Sequence, residues 1–294
     1  MGTHTTDPLL DAVQLACTGR TDSLHAFLER RGALPGPRPN LRLAIHAAAA
    51  LVSCGARGLA VLASLRAISP TQAARDTAAE FLPLVGIIGL GVQAARSEPT
   101  VLASVLSELQ SATEDPRPHV RASVVHALRE VLTAHADRAV EALSGWTDGY
   151  LQGAAVLEAI ATAQVLQHLK LAAPVVDRLQ ECFSLLEAAP RSHERTQGYR
   201  ALVRVIGQAP AAIGRKFPAE IAQWLGSSAH THCPELREAI EDALVAMRGA
   251  GVRASDIADA QRAFDASEPT PRDPRDNVGP TRSRGKKARR RGKH

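Results

Sequence analysis

One phrase recurs along this chain: an arginine, five intervening residues, then Ala-Leu. It runs from Arg121 to Ala127-Leu128, from Arg195 to Ala201-Leu202 and from Arg237 to Ala243-Leu244. Looser copies begin at Arg42, ending Ala48-Ala49, and at Arg75, ending Phe81-Leu82. Such repetition constrains architecture, because each unit buries its apolar face only against its neighbours; the chain must stack helical units rather than close one core. The stretch after Asp115 shows the unit best. Val120, Val124, Leu128 and Val131 recur at helical spacing as an apolar stripe, and Arg121, His126 and Arg129 fall off it. Asp115-Pro116 reads as a start, a capping carboxylate followed by a proline whose missing N–H costs nothing in the first turn. Ala127 is small enough to let a second helix approach closely. A further short helix is expected at about Arg138 to Ser144, before Gly145-Trp146-Thr147-Asp148-Gly149 breaks the chain.

A chain of 294 residues would ordinarily divide into two domains, but a stack of repeats escapes that limit. Aromatic residues make up only 3%, and Ala, Leu, Arg and Glu dominate, so the fold class is all-α. Further starts are read at Ser69-Pro70 before Ala74-Arg75, at Pro39-Asn40 before Leu41-Arg42, and at Cys233-Pro234 before Leu236-Arg237. One copy is degenerate, with Gly153 in the arginine position and Ala159-Ile160 closing it. The phases 42, 75, 121, 153, 195 and 237 scatter around a period of roughly 40–47 residues.

The pattern Asp115-Pro116, Val120-Arg121, Ala127-Leu128 resembles the inner-helix consensus of a HEAT repeat, with fainter echoes at Ala74-Arg75 and Leu236-Arg237. The resemblance covers most of residues 7 to 264, unevenly. It implies a right-handed α-solenoid of about six helix pairs over residues 1–266, whose second helices line a concave surface that binds other macromolecules. The segment least like the consensus is the loop around Pro35-Gly36-Pro37-Arg38-Pro39, too rich in Pro and Gly for helix and expected to form a turn or a mobile surface feature.

Charge is divided unequally. Ten of the 35 Lys and Arg, and three of the 30 Asp and Glu, lie in residues 267–294; residues 1–266 keep 25 basic against 27 acidic. The basic character of the chain therefore belongs to a C-terminal segment without apolar periodicity, which reads as a disordered tail. Its Arg282, Arg284, Lys286, Lys287, Arg289, Arg290, Arg291 and Lys293 form a candidate electrostatic contact for nucleic acid or an acidic surface, without sequence preference. The near-neutral remainder has no global nucleic-acid signature. Four scattered cysteines suggest reduced, mostly buried thiols, and no signal segment is read at the N-terminus, so a cytoplasmic protein is expected. The longest apolar stretch, Phe81 to Ala95, falls short of the roughly 20 residues of a membrane span, so no membrane partner is expected. It reads instead as buried helix, with Gly86, Gly89 and Gly91 marking a helix end and a tight turn.

No residue set announces chemistry. The repeat arginines Arg42, Arg75, Arg121, Arg195 and Arg237 read as structural, each holding a carboxylate or a helix-end carbonyl, with Asp115 the natural partner of Arg121. His230-Thr231-His232-Cys233 lacks a fourth zinc ligand and reads as a turn into a helix, so neither a metal nor a cofactor is expected. Certain HEAT-like alkylpurine DNA glycosylases use tryptophans and an aspartate on the concave face. Trp146 and Asp148 offer those residue types without that spacing, and Trp224 reads as core. The function expected is a non-enzymatic scaffold or adaptor that binds a protein partner; the alternative is a nucleic-acid-binding protein or such a glycosylase.

Overall fold

The computed structural model describes residues 7–267, and among them every regular element is helical, with no strand. In order, the α-helices are α1 (Pro8–Cys17), α2 (Asp22–Arg31), α3 (Leu41–Ser53), α4 (Ala56–Arg66), α5 (Phe81–Ala95), α6 (Leu102–Ala112), α7 (Pro118–Ala142) and α8 (Tyr150–Ile160). There follow α9 (Ala163–Leu166), α10 (Ala172–Glu187), α11 (Gln197–Ile206), α12 (Ala209–Gly214), α13 (Pro218–Ser228), α14 (Pro234–Gly249) and α15 (Ala254–Ala266). Short 3-10 turns lead into α5, α6, α8 and α11. The all-α class read from composition is the class observed.

Helices pack in chain order. α1 lies on α2, α3 and α4; α5 lies on α3, α4 and α7; α7 on α8; α8 on α10 and α11; α11 on α14; and α15 closes against α13 and α14. The buried residues form two clusters that meet in α5. Leu82, Leu84, Val85, Ile88 and Val92 join the cluster of α1 to α4, whereas Ile87, Leu90 and Ala94 join the larger one that continues to Phe264. A helix buried on both sides cannot show a polar face, which is why this stretch is apolar all round; 78% of the window Ala78–Ala95 is buried inside the protein, as the buried-helix reading expects.

The glycines of α5 were read as a helix end, and the structure corrects this: the helix is continuous through all three. They are contact points. A Cβ on Gly86 would lie 2.6 Å from the Arg66 nitrogen of α4, and one on Gly91 would lie 2.5 Å from the Ala127 Cα of α7. Backbones at this separation admit no side chain. Gly153 has the same explanation for its place in the degenerate repeat, since its Cβ would meet Cys182 Sγ of α10 at 2.9 Å.

Three starts differ from expectation. α7 begins at Pro118, two residues after the expected proline, because the Asp115 carboxylate is occupied by the Arg117 N–H and guanidinium. Residues 68–77 are turns rather than the helix expected after Ser69-Pro70, so Arg75 is not helical. Arg195 ends a 3-10 turn, and α11 starts beyond it, capped by the Thr196 hydroxyl, which accepts from the Tyr199 N–H at 3.3 Å. The second helix expected near 138–144 is present as the last turns of α7, after a break at Ala136 with φ 47°. The Pro-rich loop is a closed turn: Leu34 is buried, and Asn40 Nδ2 donates to Arg31 O at 3.2 Å while its Oδ1 accepts from Leu43 N at 3.1 Å.

Candidate functional site

A surface feature lined by several charged side chains runs along α7, α8 and α11, built largely from the off-stripe positions of helices whose other faces are core; a separate cleft of about 650 Å³ lies between α6 and α7. α7 contributes Arg121, Val125, His126 and Arg129; α8 contributes Ala154, Ala155 and Glu158; α11 contributes Ala201 and Arg204. Two neighbouring cavities of about 250 and 460 Å³ share Glu158 and Arg204 in their walls, and the second reaches Ala209 and Ala212 of α12; together they are called the groove. Alanines make its floor, which keeps it open, and three guanidiniums against one carboxylate make its lining basic.

The local electrostatics fit this geometry. Arg121 Nη1 donates to the Asp115 main-chain oxygen at 2.5 Å, so the first guanidinium is anchored at the groove's upper end. Arg129 Nε is buried without a hydrogen-bond partner. Burial first, and the Arg129 charge second, hold the His126 imidazole below its ordinary pKa, so it stands in the groove as a neutral ring near pH 7. Guanidiniums in such a setting suit bidentate contact with carboxylate or phosphate oxygens. No nucleophile hydrogen-bonded to a base lines the groove among the described residues.

The repeat arginines prove to have unlike environments. Arg42 and Arg195 are exposed, and Arg75 is an exposed turn residue bonded to Asp76 at 3.1 Å. Arg121 holds the Asp115 carbonyl, not its carboxylate. Arg237 lies 4.3 Å over the Phe264 ring and donates to Ser267 O at 2.7 Å and Oγ at 2.8 Å, which ties the end of α15 down. The most buried guanidiniums belong to arginines outside the phrase. Arg117 pairs with Asp115 and donates to the carbonyls of Ile68 and Ala73 at 3.0 and 3.3 Å; Arg178 pairs with Glu181, which also accepts from Thr147 Oγ1. The Arg178–Glu181 spacing was visible as an i,i+3 pair, whereas nothing local to Arg117 points to residues 68 and 73. The tail residues Arg282, Arg284, Lys286, Lys287, Arg289, Arg290, Arg291 and Lys293 lie outside the described residues.

The other candidates stay apart. Trp146 is 4% exposed and packs at the edge of a separate cleft between α6 and α7; Asp148 is exposed and does not line that cleft. Trp224 donates to Gln180 Oε1 at 2.8 Å and meets the Phe183 ring edge-on. His230 and His232 are exposed, while Cys233 is buried and its thiol donates to Glu235 Oε2 at 3.1 Å. A set that sequence reasoning missed is Asp76, Glu80 and His119, whose ligand-type atoms lie within 4.8 Å of one another. Glu80 is fully buried, and its two oxygens accept from the Asp76 N–H at 2.8 Å and the His119 N–H at 3.1 Å. The carboxylate thus caps the first turn of α7 from another helix, at the positive end of the helix dipole. That location favours an anion and disfavours a bound cation. No family model, no curated protein and no solved structure matches this chain.

Proposed function

We propose that this chain is a HEAT-like, right-handed helical solenoid that acts as a non-enzymatic binding scaffold, gripping an acidic segment of a partner protein in the groove of α7, α8 and α11. The observation that carries the reading is the groove itself, with Arg121, Arg129 and Arg204 on an alanine floor and a single opposing carboxylate at Glu158. The serial packing order supports the solenoid, since each helix is buried by its sequence neighbours. The basic tail would add a contact that strengthens encounter more than it selects the partner.

A fluorescein-labelled, glutamate-rich peptide tests this, with a glutamine-rich peptide and a short duplex DNA as controls. The glutamate peptide should bind, weaken as salt rises, and bind at least tenfold more weakly to the Arg121→Gln/Arg204→Gln protein, the equivalent of about 1.4 kcal/mol. Unchanged affinity in that variant would remove the groove from the function. Salt-sensitive DNA binding that survives removal of residues 268–294 would favour the nucleic-acid reading instead.

A further inference from the structure

The cleft of about 650 Å³ between α6 and the end of α7 shares no lining residue with the groove. Its size is that of a small-molecule site, a concavity with mostly apolar walls and a few placed polar groups. One wall is α6, where Leu102, Ala103, Leu106, Ser107 and Gln110 follow helical spacing and so present a single stripe. Pro99, ahead of that helix, and Ala142 of α7 extend the apolar lining.

Two polar groups of this cleft have no partner among the described residues. Trp146 is 4% exposed and lines the cleft, yet its indole N–H makes no hydrogen bond; Trp224, equally buried, donates to Gln180 Oε1 at 2.8 Å. A buried indole ordinarily finds an acceptor. The Trp146 nitrogen is not among the orphan polar atoms sealed in the core, so it opens onto the space that Trp146 lines. Arg138 lines the same cleft and forms no ion pair, although Glu141 follows three residues later on α7. No carboxylate lines the cleft, which leaves Arg138 as its one formal charge.

From this arrangement we infer that the cleft is a binding site for a small amphipathic carboxylate, a free organic acid with an extended apolar body. The body lies along the α6 stripe, and the carboxylate accepts from the Arg138 guanidinium and the Trp146 N–H. A neutral molecule of the same shape leaves the guanidinium unpaired. A short acid leaves the apolar wall wet. Charge-assisted bonds to a guanidinium are the stronger kind, so the head group should contribute as visibly as the chain does.

Isothermal titration of the full chain with decanoate, kept below its micelle concentration, tests this. Binding should be saturable, with butanoate and decanol each weaker by about tenfold or more. Trp146 and Trp224 are the chain's two tryptophans, so decanoate should change the emission of the unsubstituted protein and leave that of Trp146→Phe unchanged. Arg138→Gln should weaken decanoate by about tenfold and leave decanol as it was. Ala103→Trp, at an exposed position of the α6 wall, should fill the cleft and abolish decanoate binding. Circular dichroism checks that the helices of each variant are intact. Lack of saturable heat, equal affinity for decanoate and decanol, an emission change that persists in Trp146→Phe, or full affinity in Arg138→Gln or Ala103→Trp would each overturn the inference.

Discussion

Arg117 offers the sharpest test of how this fold is held together. Its side chain is 3% exposed and that of Asp115 is 15% exposed, and they meet through Nε–Oδ1 at 2.8 Å and Nη2–Oδ2 at 2.7 Å. The remaining donor, Nη1, serves the carbonyls of Ile68 and Ala73, so a single side chain fastens the 68–77 turns to the start of α7. Arg117→Ala leaves a largely buried carboxylate without its counter-charge, a loss of about 3–5 kcal/mol when one partner of a buried pair is removed. The two carbonyls add about 1 kcal/mol or less each, because water can reach the vacated site. Urea denaturation followed by circular dichroism should show a loss of about 4 kcal/mol. The double variant Arg117→Ala/Asp115→Asn should recover roughly 2 kcal/mol of that, since a neutral amide keeps the bond from the residue 117 N–H but has no charge to desolvate. The pH dependence follows from the same balance. Desolvation raises the Asp115 pKa, but the Arg117 bonds outweigh it and the net shift is downward. The carboxylate's contribution is therefore complete above its unfolded value of 3.8 and is lost as pH falls through the lower folded value. In Arg117→Ala the desolvation that remains should raise the folded value above 3.8, so the sign reverses: the variant should regain stability as acid protonates the unpaired Asp115. A cost below about 1 kcal/mol, or no recovery in the double variant, would refute the view that this pair is the fastening.

Gly91→Ala should destabilise by about 1–3 kcal/mol despite alanine's better helix propensity, because the new methyl meets Ala127 Cα at 2.5 Å. Gly249→Ala, at the open end of α14 with nothing within 4 Å, should be neutral or stabilise by up to about 1 kcal/mol; thermal melts compare the two. Glu80→Ala leaves the N–H groups of Asp76 and His119 without their acceptor and should cost about 2–4 kcal/mol by urea denaturation. Arg237→Ala should speed amide exchange in α15 while leaving α3 and α5 protected, since its donors end at Phe264 and Ser267. His126 is held below its unfolded pKa of 6.5, so stability should fall as pH drops through 6.5 toward the lower folded value, and His126→Gln should remove that part of the slope.

Where a signal is local, the residues announce their structure directly. The stripe Val120, Val124, Leu128, Val131 is buried as its spacing requires, and Pro234 begins α14 as a proline after a turn should. The failures arise where a distant segment changes the meaning of a local pattern. Gly86 and Gly91 look like breakers because periodicity carries no information about the helices lying on either side of them. Ser69-Pro70 looks like a helix start, but the carbonyls of Ile68 and Ala73 find their donors in Arg117, and the Asp76 N–H finds Glu80. Ser69-Pro70 does open one turn, with the Ala73 N–H donating to Ser69 O at 3.0 Å, but with those other groups satisfied from outside the segment goes no further.

The same reasoning explains why the groove could not be read from the chain. Its charges stand at positions 121, 129, 158 and 204, and only α8 packing on both α7 and α11 brings them onto one surface. The repeat phrase carries two kinds of constraint at once. Its Ala-Leu end is set by packing: Ala127 and Leu128, and again Ala243 and Leu244, are almost wholly buried. Its arginine stands off the stripe, where the fold asks only that the side chain find a partner or water. Arg237 finds the end of α15, Arg75 finds Asp76, and Arg121 finds a carbonyl and the mouth of a groove. A residue that repeats for reasons of register is thus free to differ in role from copy to copy. Exchanging Arg237 for lysine should loosen α15, where a planar guanidinium over Phe264 is required, while Arg42→Lys should leave stability unchanged; equal effects at both positions would show that the phrase has one structural role after all.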